Sequence, residues 1–392
     1  MSSTRQSLRK GVAPKNPNQS GRSSGKSDRK KSNNDILNKY VFPMTIISTY
    51  NGNSYYISGL QREGKFGGIL VVIDKNTNDY KSIKFGLVDH YHVEVDVFTT
   101  CMDLFPDTNR ISKIIDYGFV EGKNEPFILM ENMGQHLGEY IQTFPSEIFD
   151  TLTGMTVLLE CLKCIQFLHS IGFVHRNIKP SSFYIELNND KSIQRMFIAD
   201  FEGAQRMDLE PSKLGNMNPL LRDIYVRRLK ERTSGLKYCP VRQHTPTTPI
   251  FKDDLESWFY LGIIFFEGAL PWSKCTNNEE EKVLRNKHRL RDPGYNFYKH
   301  TPIRYASLLP KIDAFEESAV PDYNLLINKM EKYIKYLSAE DKSKIELTKE
   351  PYIEDAEKRR KEELILKDDG KEKKKPAGSG KGSRGKSKKE KK

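Results

Sequence analysis

Between Lys84 and Asp254 a set of charged, amide and hydroxyl side chains stands in short, well-marked contexts. They are Lys84 in SIKF, Glu94 in HVEVDVF, the run from His175 to Ser182 in HRNIKPSSFY, Asp200 and Glu202 in ADFEGA, and Asp254 in DDLESWFYLGIIFFEGALPW. With the glycine-bearing REGKFGG and the apolar ILMEN they make seven stretches in one order over about 210 residues. Two lysines and several carboxylates distributed in this way suit phosphoryl transfer from ATP to a hydroxyl. That reaction asks a protein mostly for positioning and charge neutralisation. A lone Lys and Glu ten residues apart would mean nothing, but seven stretches in sequence carry weight.

The elements that must hold these residues follow from hydrophobic periodicity. Residues 41–100 alternate short β-branched or aromatic runs (TIISTY, YYISGL, GGILVVID, DYKSIKF) with Gly/Asn turns, the signature of an antiparallel sheet of short strands. The apolar spacing of YHVEVDVFTTCMDLF suits a single helix, and IIDYGFV and PFILMEN read as further strands. From about residue 137 the period becomes helical, and EIFDTLTGMTVLLECLKCIQFLHSIG predicts about seven turns buried on one face. After two more strands, FYIEL and MFIADF, and a polar segment, DDLESWFYLGIIFFEGALPW is apolar nearly all round and belongs in the middle of a lobe. The order is a β-rich lobe, a hinge near MENMGQHL and a larger helical lobe, with no internal repeat.

On these motifs the chain resembles the eukaryotic protein kinase fold, within it the casein kinase I group, and most of all the tau-tubulin kinases. HRNIKPSSF is similar to that group's HRDIKPSNF. DDLESWFYLGIIFFEGALPW is similar to its DDLxSL-aromatic segment ending in LPW, and SGLKYCPVRQH resembles the G-T-x-R-Y-A-S stretch that the group has in place of Ala-Pro-Glu. The resemblance covers residues 37–340. It implies an α+β bilobal fold, with a small antiparallel β-rich lobe carrying one main helix (about 37–133) and a mostly helical lobe (about 134–340). ATP and Mg²⁺ are the cofactors it implies. Lys84 would grip the α- and β-phosphates with Glu94 as its ion-pair partner, and Gly64 and Gly67 would lie over the phosphates. Asn177 falls in the general-base position, Lys179 would touch the γ-phosphate, and Asp200 and Ser182 fall where the metal ligands stand. Arg227 and Arg228 correspond loosely to basic residues that receive acidic or phosphate-primed substrates.

Four positions depart from the family pattern. The loop G-x-G-x-x-G falls on Arg62, Gly64 and Gly67. A side chain at the first place hinders the close approach of backbone N–H groups to phosphate, although Arg62 and Lys65 would still offer charge, and a hairpin that has lost its nucleotide duty explains the stretch equally well. Asn177 replaces the aspartate that accepts the hydroxyl proton; an amide has no useful basicity, and losing a general base typically forfeits about 10²–10⁴-fold in rate. Ser182 replaces the second metal ligand, a softer loss because a hydroxyl can ligate Mg²⁺. Glu202 replaces the glycine after Asp-Phe and sets a second carboxylate where phosphates would lie, which by default repels ATP. His175, Arg176, Asp254 and Trp272, which brace the loop and close a helix end, match the family. The expectation is a kinase-like fold without its chemistry, a pseudokinase that binds protein partners. A slow Ser/Thr kinase with an unusual loop is the alternative. For residues 221–232 (LRDIYVRRLKER), a solvated helix and a pocket for an acidic or phosphorylated partner stand level.

Charge is distributed unevenly. The chain of 392 residues has a net charge of +12, and residues 1–32 and 367–392 each hold +8, so residues 33–366 are mildly acidic. Both ends are Ser, Gly, Lys and Arg with almost no large apolar residue, and disorder is expected for 1–36 and 367–392, with a charged helical extension over 341–366. The basic tails suit solubility, nuclear import, or contact with acidic surfaces or nucleic acid. Five scattered cysteines make no disulfide framework, and no apolar leader precedes them, which points to a reducing compartment, cytoplasm or nucleus. Cys161 and Cys164 form a CxxC with no second thiol pair near, so they read as helix core. The longest apolar stretches are expected to fall short of the ~20 residues that span a bilayer.

Overall fold

The computed structural model describes residues 44–47, 54–63, 68–73, 80–207, 217–292, 294–295 and 297–339. Both basic ends, the 341–366 extension, and Gly64 and Gly67 lie outside the described residues.

The first lobe is an antiparallel sheet of six strands: β1 Met44–Ile47, β2 Ser54–Glu63, β3 Gly68–Ile73, β4 Tyr80–Phe85, β5 Ile114–Phe119 and β6 Pro126–Glu131, in the order β1-β2-β3-β4-β6-β5. Side chains alternate across a strand. One face buries Ile46, Ile57, Val72, Ile83, Phe85, Phe127 and Leu129 in a small core of their own. The other face of β4 therefore presents Ser82 and Lys84, with Ile128 and Met130 of β6 beside them in the larger core. Helix α1, Val88–Leu104, covers that face and buries Val93, Glu94, Val97 and Phe98.

The chain crosses to the second lobe through Met133 and Gly134, the latter at φ +63, a left-handed conformation that suits glycine. There follow β7 Gln135–His136, a single helical turn α2 Leu137–Tyr140, and α3 Thr151–Ser170. Helix α3 is shorter than the seven turns expected. Ser146 and Glu147 adopt left-handed backbone angles (φ 60 and 54), and Asp150 then caps the helix by accepting the Thr153 N–H at 3.0 Å. By length and composition α3 does pass as membrane-spanning, contrary to the expectation above. Its apolar character has a local cause, since it packs against other helices of the lobe core and buries Cys161 and Cys164 with no exposure at all.

Strands β8 Phe173–Val174, β9 Phe183–Leu187, β10 Ile193–Ile198 and β11 Gln205–Arg206 frame the loops between the lobes. Then come α4 Pro219–Arg228, α5 Phe251–Glu267, α6 Glu280–Arg289, α7 Ile303–Ala306, α8 Leu308–Asp313 and α9 Tyr323–Ser338. Helix α5 is the central rod, with Asp253 through Phe266 all buried. Gly262 allows Tyr305 to lie against it, since a Cβ there would meet the tyrosine ring at 2.1 Å. Gly268 at φ +74 ends the helix in the left-handed conformation usual for that position.

Candidate nucleotide cleft and catalytic loop

Strand β4, helix α1 and the turn after β10 bring four charged groups together. Lys84 Nζ lies 2.5 Å from Glu94 Oε1, 2.9 Å from Glu202 Oε1 and 3.4 Å from Asp200 Oδ1. Burial alone would pull the lysine down, but the carboxylates of Glu202, Glu94 and Asp200 outweigh it and hold the ammonium well above its ordinary value. Burial pushes Glu94 up to about 7, whereas Glu202 and Asp200 stay below the usual carboxylate range because Lys84 outweighs their burial. Lys179 adds a second positive field at Asp200. Behind Lys84 a cavity of about 10 Å³, bounded by His90, Tyr91, Glu94 and Ile128, has room for about one water.

The loop from His175 to Ser182 is fixed by Asp254, which is 1% exposed. Its carboxylate accepts the backbone N–H of His175 (2.6 Å) and of Arg176 (2.9 Å), and His169 Nε2 lies at 2.9 Å. His175 donates from Nε2 to the Ala199 carbonyl at 2.9 Å and accepts the Asn177 N–H on Nδ1 at 3.2 Å, which assigns it as the neutral Nε2–H tautomer. Rings of Phe98, Phe201 and His175 stack edge to face at 5.4 and 5.6 Å, tying α1 to both loops. Asp200 sits at φ 66, ψ 52, a conformation that Asp tolerates better than most residues. The strand expected through MFIADF therefore stops at Ile198.

Asn177, expected from the resemblance in the general-base position, is half-buried. Ser182 has no exposure, and its hydroxyl donates to the Asn177 carbonyl at 2.9 Å, so its proton is used to hold the loop. Arg227 and Arg228 do not converge. Arg227 is exposed and pairs with Asp89 at the start of α1 (2.9 Å). Arg228 is buried; its Nη2 donates to the Glu202 carbonyl at 2.8 Å, and its own carbonyl accepts from Arg176 Nη2 at 3.1 Å. The segment expected as either a solvated helix or an anion pocket is thus a helix, α4, docked on α1. Tyr225 donates to Asp96 Oδ2 at 2.7 Å, and Arg206 Nε lies 3.1 Å from the same atom.

Sequence reasoning passed over Ser82. Two places before Lys84 on the same face of β4, it has no exposure, and its hydroxyl accepts the backbone N–H of Met133 at 3.1 Å. The signal available was a hydroxyl where a purely apolar strand face would do. Glu202 on Lys84, Ser182 turned inward and the Met133 amide already bonded each oppose a magnesium nucleoside triphosphate, whereas Asp200 and the Lys84–Glu94 pair stand where such a ligand would need them. Among the described residues there is also no group of three or more His, Cys, Asp or Glu placed to hold a metal ion.

No protein-family model matches the chain. In sequence it is similar to serine/threonine-protein kinase spe-6 of Caenorhabditis elegans, 27% identical over 206 residues, which is 51% of each chain. It is also similar to a probable serine/threonine-protein kinase of Dictyostelium discoideum, 25% identical over 203 residues, 51% of this chain and 38% of that one. The chain thus spans about half or less of the length of these relatives. In structure it is similar to vaccinia related kinase 3, with a TM-score of 0.62 over 76% of this chain and 92% of the other at 17% identity. The fold of this chain is the two-lobed protein kinase fold, and the relatives its sequence resembles are named as serine/threonine kinases.

Proposed function

We propose that the chain is a pseudokinase of the casein kinase I type, a kinase-shaped module that binds protein partners in a scaffolding or regulatory role and transfers phosphate negligibly. The observation that carries this reading is Asn177, an amide at the place of the general base, on a loop whose other supports are built. Removal of a general base accounts for about 10²–10⁴-fold of lost rate, and the carboxylate of Glu202 on Lys84 adds to the loss. Exposed Arg222 and Lys230, on either side of the Arg227 that Asp89 already pairs at 2.9 Å, support an acidic or phosphorylated protein as the partner. The basic ends supply further attraction to acidic surfaces or nucleic acid, in the cytoplasm or nucleus.

The test is phosphate transfer from labelled ATP to an acidic protein substrate by the full chain, beside a Lys84→Ala control. No incorporation in either is the expected outcome; incorporation that vanishes in the control would make the chain an active kinase. Asn177→Asp alone is expected to leave activity far below that of an ordinary kinase, because Glu202 and Ser182 remain. Recovery to an ordinary rate would refute the reading. The 2.5 Å Lys84–Glu94 pair favours the second reading, a weakly active Ser/Thr kinase in which Asn177 merely positions a hydroxyl.

A further inference from the structure

The two donors that line the roof of the cleft are both satisfied from within the chain. Ser82 and Lys84 lie two residues apart on one strand, so both side chains emerge on the face opposite the small core. At one end the Lys84 ammonium is held at 2.9 Å by Glu202, whose backbone is in turn fixed by the 2.8 Å hydrogen bond from Arg228 to its carbonyl. At the other end the amide of Met133, on the segment joining the lobes, points at that same roof and is taken by the Ser82 hydroxyl at 3.1 Å. A ligand lying along the roof with a phosphate at one end and a heteroaromatic base at the other would take the ammonium for its phosphate and the amide N–H for a ring nitrogen, the donors that Glu202 and Ser82 now occupy. We infer that Glu202 and Ser82 are built-in substitutes for the phosphate and the base, so that the cleft is closed by the chain's own acceptors and rejects ATP. The inference deepens the reading of the chain as a non-catalytic module by naming how its site is regulated.

The two substitutes act on different parts of a ligand. A carboxylate beside Lys84 repels a polyphosphate and leaves an uncharged nucleoside alone, whereas a hydroxyl on the Met133 amide competes with any purine. Binding of ATP and of adenosine to the full chain, with and without Mg²⁺, is therefore compared by calorimetric titration for wild type, Ser82→Ala, Glu202→Gly and the double variant. Wild type is expected to show no saturable ATP binding up to about 1 mM, the upper range of ordinary substrate concentrations. Glu202→Gly is expected to tighten ATP by about fivefold to a thousandfold, the span of one unit charge at close range between bulk water and a protein surface, with adenosine unchanged. Ser82→Ala is expected to tighten both ligands by about two- to tenfold, the scale of one hydrogen bond. Each variant is first shown to melt in one cooperative transition, and Glu202→Gln carries the same prediction should the glycine variant not fold. Tight ATP binding by wild type overturns the inference, as does silence from every variant. If wild type binds ATP yet transfers no phosphate, this inference fails while the pseudokinase reading stands; phosphate transfer by wild type removes both.

Discussion

Lys287 offers the sharpest test of how this lobe is held together. It lies on α6 with no exposure. Its ammonium reaches the carbonyls of Leu236 (2.8 Å) and Cys239 (2.6 Å) and the Nε2 of His244 (3.0 Å), with the Cys239 sulfur at 3.3 Å. The rings of Trp272 and Tyr260 lie 5.4 and 5.5 Å away. An ammonium has three protons, and these three nitrogen and oxygen acceptors use them all. Burial, and after it the charge of Lys287, push His244 down to about 4, so the imidazole is neutral; it accepts on Nε2 and donates from Nδ1 to Glu280 at 3.0 Å. One buried cation thus anchors residues 236–244, the end of the segment that precedes α5. Lys287→Met keeps most of the stem and removes the donor, leaving two carbonyls and an imidazole nitrogen unsatisfied at about 1–3 kcal/mol each. Relief from burying an ammonium offsets part of this, so the net cost is about 2–5 kcal/mol. For a domain of this size that corresponds to a fall in melting temperature of about 3–8 °C. The assay is calorimetric melting together with amide exchange, which should quicken first in residues 234–245. A melting temperature within about 2 °C of wild type, with exchange unchanged, would refute the claim that this ammonium holds the segment.

Three further outcomes follow from particular contacts. Burial raises Glu94 from an ordinary 4.5 to about 7, so between those values the folded chain binds more protons than the unfolded one and the contribution of this group falls as pH rises through that window. Glu94→Gln should flatten the dependence of melting temperature on pH between about 4.5 and 7, partially because buried Asp253, raised to about 6, slopes the same way; an unaltered slope would contradict the assignment. Gly262→Ala drives a methyl into the Tyr305 ring and should destabilise by about 1–3 kcal/mol or more, measured by denaturant midpoint, with no change meaning that the ring moves freely. Tyr225→Phe removes the hydrogen bond to Asp96 and should cost about 1.5–3 kcal/mol. Amide exchange in α4 should rise ahead of the rest of the lobe, and equal exchange throughout would show that α4 is not tied to α1 by this bond.

The sequence alone determined the order and type of the main elements, because hydrophobic period is a local property. The alternating runs through 45–85 became β1 to β4, and the all-round apolar DDLESWFYLGIIFFEGALPW became the buried α5. It also set Lys84, Glu94, Asp200 and Asn177 in an order that implies a cleft between two lobes. Element ends were less legible: the start of α3 depends on left-handed angles at Ser146 and Glu147 and on the Asp150 cap, and the stop after Ile198 depends on the turn at Asp200. Which partner each charged residue takes was decided by tertiary structure, since partners 26 to 138 residues apart carry no local signal. Glu202 falls on Lys84, Arg228 turns inward to the Glu202 backbone while Arg227 stays at the surface, and Lys287 reaches the carbonyls of a distant segment. The hydroxyl of Ser82, unremarkable in a strand, acquires meaning when the fold sets the Met133 amide against it.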